Sequence, residues 1–235
     1  MFSVASAQAV TIDAFDTDQA EITSSATGGA DPGSVVSEAS PITGSIATAR
    51  QITVDATPTA DAVTNGNNVS LSAGVVGDTF NIDAIVGSVG TVLLSYGTDV
   101  GIFVPGFSAQ DLTGAGAFDQ ITIDATALLG SITVDVTITD TDGTVATVSE
   151  VVSGGPTSVD LAFTAFLAAA NGGTGGLDLT DVNGFDVLFS LNQGGSSASF
   201  DIIQSTSVVT PVPLPASGVL LLAGMGGIAL MRRRA

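Results

Sequence analysis

Ten runs of alternating apolar and polar residues constrain this chain more than any other feature of it: 51–56, 69–73, 79–84, 91–96, 120–125, 131–139, 144–151, 158–163, 185–191 and 199–208. Alternation with period two puts one set of side chains on each face of a strand, and Gly, Asn and Asp separate the runs as turn residues. Runs of this length and spacing predict an all-β fold, an antiparallel sandwich or barrel. A phrase recurs along them: Val10-Thr11-Ile12-Asp13-Ala14, Ile52-Thr53-Val54-Asp55-Ala56, Phe80-Asn81-Ile82-Asp83-Ala84 and Ile121-Thr122-Ile123-Asp124-Ala125. Its spacing is uneven, which argues against a solenoid. The expectation is a shared strand grammar, with two apolar residues facing in and Thr and Asp facing out.

Composition agrees. Of 23 acidic residues only Glu21, Glu38 and Glu150 are Glu, and Asp favours turns over helix interiors. Only 164–170, with Phe166 and Leu167, reads as helix. Residues 16–43 are polar, with turn signals at Gly28-Gly29 and Asp31-Pro32-Gly33. The expected organisation is a signal-peptide remnant at 1–9 and an irregular segment with one strand at 10–45. One sandwich domain follows at 46–209 and a tail at 210–235. The remnant is inferred from Ala7-Gln8-Ala9, which fits a signal-peptidase site with the start assigned too late.

The absences close most reaction classes. Without His or Cys there is no Ser-His-Asp or Cys-His nucleophile, no zinc site of the usual ligands and no haem or iron–sulfur ligation. Without Lys there is neither a Schiff base nor a phosphate-cradling Walker loop. Three of the four cationic residues lie in the tail, so Arg50 alone stands against the body's carboxylates. Such a surface repels nucleic acid and favours divalent cations. What survives is carboxylate chemistry: glycoside cleavage by an acid and base pair, or calcium. Trp is absent and Tyr96 is the only tyrosine, so a sugar-stacking platform is poorly supplied.

The best local site hypothesis lies in the hairpin 131–151. Asp142-Gly143 is a two-residue turn signal, which makes Thr141 face Thr144. Ile132, Val134, Val136 and Ile138 then share the buried face, and Asp135 lies opposite Glu150 on the other. Like charges in register cost stability unless a cation intervenes, so Asp135 and Glu150 are the candidate Ca²⁺ ligands. Asp140-Thr141-Asp142-Gly143 begins like an EF-hand loop, but its glycine stands too early, and it reads as a turn. The glycine-rich stretch 172–178 echoes a calcium-binding nonapeptide with its Asp one residue late and no second copy, and reads as a loop.

The tail combines Val212-Pro213-Leu214-Pro215-Ala216, an apolar run 217–231 and Arg232-Arg233-Arg234. The prolines hold the backbone extended, and arginines beside an apolar segment stay on the cytoplasmic side of a bilayer. This arrangement resembles the PEP-CTERM family of bacterial sorting signals in its VPLPA variant, with Leu214 where the namesake has Glu. The resemblance implies a sorting helix held transiently in the inner membrane, processing by an exosortase, and a mature form at the cell surface or secreted from a Gram-negative bacterium. Val92–Gly97, Asp111-Leu112-Thr113, 132–143, Asp178–Val182 and Ser199–Ile202 together resemble the jelly-roll modules, galactose-binding-like in architecture, that accompany this tail. That resemblance implies a non-catalytic structural or adhesive matrix protein associated with exopolysaccharide. The alternatives are a calcium-assisted carbohydrate-binding module and a carboxylate glycosidase.

Overall fold

The computed structural model describes residues 9–97, 104–173 and 175–207. The sorting motif Val212 to Ala216, the arginines 232–234 and most of the 1–9 remnant lie outside these. Among the described residues no helix is long and apolar enough to cross a membrane.

The strands are β1 (Val10–Asp13), β2 (Gln19–Ala26), β3 (Ser34–Ala39), β4 (Ala49–Pro58), β5 (Val69–Val75), β6 (Phe80–Ala84), β7 (Ser88–Gly97), β8 (Gln120–Leu129), β9 (Ser131–Asp140), β10 (Val145–Ser153), β11 (Thr157–Ala162), β12 (Val182–Leu191) and β13 (Ser197–Thr206). Two short helices interrupt them, α1 (Ala60–Asn65) and α2 (Phe163–Ala169). One sheet runs β11-β8-β13-β6-β5-β2 with β1 added against β13, and the other runs β10-β9-β12-β7-β4-β3. Every named strand pairing is antiparallel.

The two orders match position by position: β2 lies across from β3, β5 from β4, β6 from β7, and β8 from β9. A doubled chain wound this way is a jelly roll, and it places strands adjacent in sequence on opposite sides of one core. The inward residues of both sheets fill that core. Ile132, Val134, Val136 and Ile138 of β9 are fully buried, as the alternation predicts. Phe80, Phe189 and Phe200 stack at the centre, with Phe189 and Phe200 4.6 Å apart. Each of the ten runs falls on a strand within the described residues, and the expected helix is α2.

Three expectations are corrected. Residues 10–45 hold three strands rather than one, and β2 and β3 form the matching edges of the two sheets, so no boundary falls at 45. An edge strand is solvated along one side, so apolar alternation is weak in Gln19–Ala26 and Ser34–Ala39. Helix α1 carries one buried residue, Ala62, and is held by Thr59, whose hydroxyl accepts the Ala62 N–H, rather than by an apolar face.

The third correction concerns the recurring phrase. Asp55 and Asp83 face outward and Asp124 is half-buried, but Asp13 is wholly buried. A bulge in the β1 pairing turns it inward. There it meets Arg50, which is also wholly buried, at 2.7 Å. Arg50 Nε donates to Gln19 Oε1, Nη2 donates to the Thr17 carbonyl, and the guanidinium lies 5.4 Å from the Phe15 ring centroid. The guanidinium thereby fastens the first strand and its following turn across the end of the sandwich.

Candidate functional site

The hairpin β9–β10 does not build the expected site. Its loop holds three residues, Thr141 to Gly143, closed by Asp140 and Thr144. Gly143 takes a φ of 86°, and its N–H donates to the Asp140 carbonyl. The Asp140 carboxylate, 1% exposed, accepts the N–H groups of Asp142, Thr144 and Asp178, which selects the longer loop. The register is shifted by one residue, and a shift of one exchanges the faces of a strand. Asp135 pairs with Ser149, and Glu150 pairs with Val134. Asp135 and Glu150 therefore lie on opposite faces of the sheet and share no ion.

Other carboxylates gather near this hairpin, but their oxygens serve the local backbone. Asp178 accepts the Thr180 N–H and hydroxyl, and Asp111 accepts the Thr113 N–H and hydroxyl and the Ala115 N–H. These hydrogen bonds hold both carboxyls below their ordinary range, against some burial in each case. Among the described residues no three acidic groups stand so as to hold a metal ion.

The outer face of the six-stranded sheet is organised differently. Register places Thr147, Thr137, Asp186, Ser95, Gln51 and Glu38 in one line across β10, β9, β12, β7, β4 and β3. At about 4.8 Å between strands the line is about 24 Å long. Its members bind one another: the Thr137 and Thr147 hydroxyls lie 2.9 Å apart, and Gln51 Nε2 donates to Glu38 Oε1 at 2.9 Å. The neighbouring line sets Leu188 beside Leu93, between Asp135 and Thr53. A polar row thus runs alongside an aliphatic pair.

A notch flanks the middle of this row at Asp186. The segment Pro105 to Gln110 folds back onto β7 and β12, Gly106 N–H donating to the Tyr96 carbonyl and Phe107 N–H to that of Asn183. Gly106 has a φ of 93°, and a Cβ there would stand 2.7 Å from the Asn183 carbonyl oxygen, so the approach requires glycine. A bulge between Val182 and Gly184 displaces Asn183 from the ladder, and bulges re-aim side chains. Pro105, Thr139, Asn183, Gly184 and Asp186 line the resulting hollow of about 250 Å³. It adjoins a second of about 430 Å³ bounded by Phe107 and Ser108. Burial pushes the Asp186 carboxyl above its ordinary value, and a hydrogen bond from Ser95 pulls it partly back.

The sequence signal for this site is the outward set of the alternation, Ser95, Thr137 and Asp186, whose alignment needs a strand order that alternation does not contain. Tyr96 is no sugar platform: it faces inward, 1% exposed, against Phe185.

No protein-family model matches the chain, and no curated protein matches it. Among solved structures it is similar to the family 11 carbohydrate-binding module of a cellulosomal cellulase of Clostridium thermocellum. That likeness has 11% identity and a TM-score of 0.40 over 88% of this chain and 100% of the module. A solution structure described as CtCBM11 gives 13% identity and a TM-score of 0.42 over 88% of this chain and 99% of the other. An exo-β-agarase gives 12% identity and a TM-score of 0.37, with 68% of this chain covering 22% of the enzyme. Likenesses at this level transfer no residue and no ligand to the present chain.

Proposed function

We propose that the chain is a non-catalytic, carbohydrate-binding surface protein that takes its glycan across the outer face of the six-stranded sheet. The observation that carries this is the line Thr147, Thr137, Asp186, Ser95, Gln51 and Glu38, which passes the Asn183 notch at Asp186. Sugar hydroxyls need donors and acceptors in alternation, and this line supplies hydroxyl, carboxylate and amide groups once per strand. Leu93 and Leu188 offer the aliphatic surface on which a pyranose ring lays its C–H face. With no exposed aromatic side chain among the described residues, the binding there is made of hydrogen bonds and repeated contact along a chain, which suits an adhesive or matrix role. The tail supports the setting: Val212 to Ala216, the apolar run and Arg232 to Arg234 suit an exported precursor handled by an exosortase.

A glycan array probed with the wild-type protein and with a Gln51→Ala, Asp186→Ala double variant tests the reading. Saturable binding to one glycan class, lost in the variant while its unfolding midpoint is kept, is the expected result. Equal binding by both proteins, or no binding to any glycan, overturns it.

A further inference from the structure

The charge inventory around the notch narrows the ligand further than a glycan in general. Among the described residues Arg50 is the only cation, and it is wholly buried and committed to Asp13. Every exposed side-chain charge of the described body is therefore a carboxylate. On the outer face these are Asp186, Asp135, Asp55 and Glu38. A uronate or sulfated glycan laid along the row meets repulsion with no compensating group.

The notch itself is rich in acceptors. Asp186 brings a carboxylate, Thr139 a hydroxyl and Asn183 a carboxamide to its lining, which Pro105 and Gly106 complete, so acceptors are present at each of the three polar side chains. An ammonium group has three donors and no acceptor, so it is satisfied where acceptors converge on a small space. A neutral hydroxyl can also donate to the carboxylate there but leaves its charge uncompensated, whereas an ammonium neutralises it. An N-acetylated amine offers one donor and adds bulk to a hollow of about 250 Å³.

We propose that the Asn183 and Asp186 notch selects glycans bearing free amino groups, with the sugar ammonium seated against the Asp186 carboxylate beside Thr139 and Asn183. This rests on the glycan reading above. Neutral sugars of the same chain lie along Ser95 and Gln51, and acidic polysaccharides are excluded.

The test uses isothermal titration of the folded protein with three probes: fully deacetylated glucosamine oligomers, the same oligomers N-acetylated, and a polyuronate. The deacetylated oligomers are expected to bind about ten-fold or more tightly than the acetylated ones at low salt, the strength of one charge-assisted hydrogen bond. That gap closes at high salt. Asp186→Asn removes the gap, so that the variant binds deacetylated oligomers no more tightly than acetylated ones. Asp61→Asn, on exposed α1 outside the notch, leaves the gap intact. Acetylated oligomers binding as tightly as deacetylated ones, polyuronate binding, or Asp61→Asn acting like Asp186→Asn overturns the amino-sugar assignment alone. Binding of none of the probes, together with an empty glycan array, removes the glycan reading as well.

Discussion

Arg50 stands where the strand pattern demands an aliphatic side chain. Its neighbours on the same face of β4, Ile52, Val54 and Ala56, are fully buried, and so is Arg50. The charge is tolerable because each guanidinium nitrogen has a partner: Asp13, Gln19 Oε1 and the Thr17 carbonyl. Tyr96, paired with Arg50 across β4 and β7, closes the cluster, and burial beside Asp13 pushes its hydroxyl pKa well above the ordinary value. Removing one partner of a buried pair leaves an uncompensated charge, so Arg50→Ala is expected to cost about 3–5 kcal/mol in urea unfolding. Replacing both partners, Asp13→Leu with Arg50→Met, should recover most of that loss. A double variant as unstable as the single one contradicts this account of the pair. Nothing in the sequence separates Asp13 from Asp55 and Asp83, which occupy the same place in the same phrase. The inward turn of Asp13 comes from a bulge and from a partner 37 residues away.

The element that sequence reasoning missed most instructively is the β9–β10 hairpin. Both strands and the buried set from Ile132 to Ile138 were legible, because period two is enough to assign a face. The register was not, because Asp-Gly fits both a two-residue turn and the end of a three-residue loop. The Asp140 carboxylate chooses between them through the N–H groups of Thr144 and Asp178. The register gives Glu150 a different role from the one expected. It lies on the inner side of edge strand β10, in the position of Val134, between Val148 and the buried Val152. The flanking outward residues Val145 and Val151 are exposed, and β10 contains neither Pro nor Lys. An inward-pointing charge on an edge strand resists pairing with a second chain. Glu150→Val should therefore produce concentration-dependent association in light scattering, with Ser149→Val doing so much less. A monomeric Glu150→Val protein at high concentration contradicts the edge-guard role.

The whole molecule is a doubled antiparallel chain around one core, with a surface whose exposed charges, among the described residues, are all negative. Its stability should follow from that sign. Burial raises the carboxyls of Asp124 and Asp186 above their ordinary values, helped at Asp124 by Asp160 and Asp201. For such groups the folded state holds protons more tightly than the unfolded one, so stability falls as pH rises from about 4 through their raised values. Asp111 and Asp178 act oppositely: their lowered carboxyls contribute stability above about pH 4, which is lost as pH falls further. The thermal midpoint should thus be highest at about pH 4, fall as pH rises through the raised carboxyls, and recover at neutral pH when salt screens the surface. A midpoint that rises steadily to pH 8 and ignores salt contradicts this. Strand content and the sandwich class were legible in the sequence because alternation reports them locally. The proposed binding face was not, because six residues from six strands meet only through the strand order. Amide chemical-shift mapping during titration with soluble oligosaccharides tests that face most directly. The account predicts shifts concentrated at Ser95, Gln51, Thr137, Asn183 and Asp186. Shifts confined to the seven-stranded sheet, or none with any sugar, would contradict it.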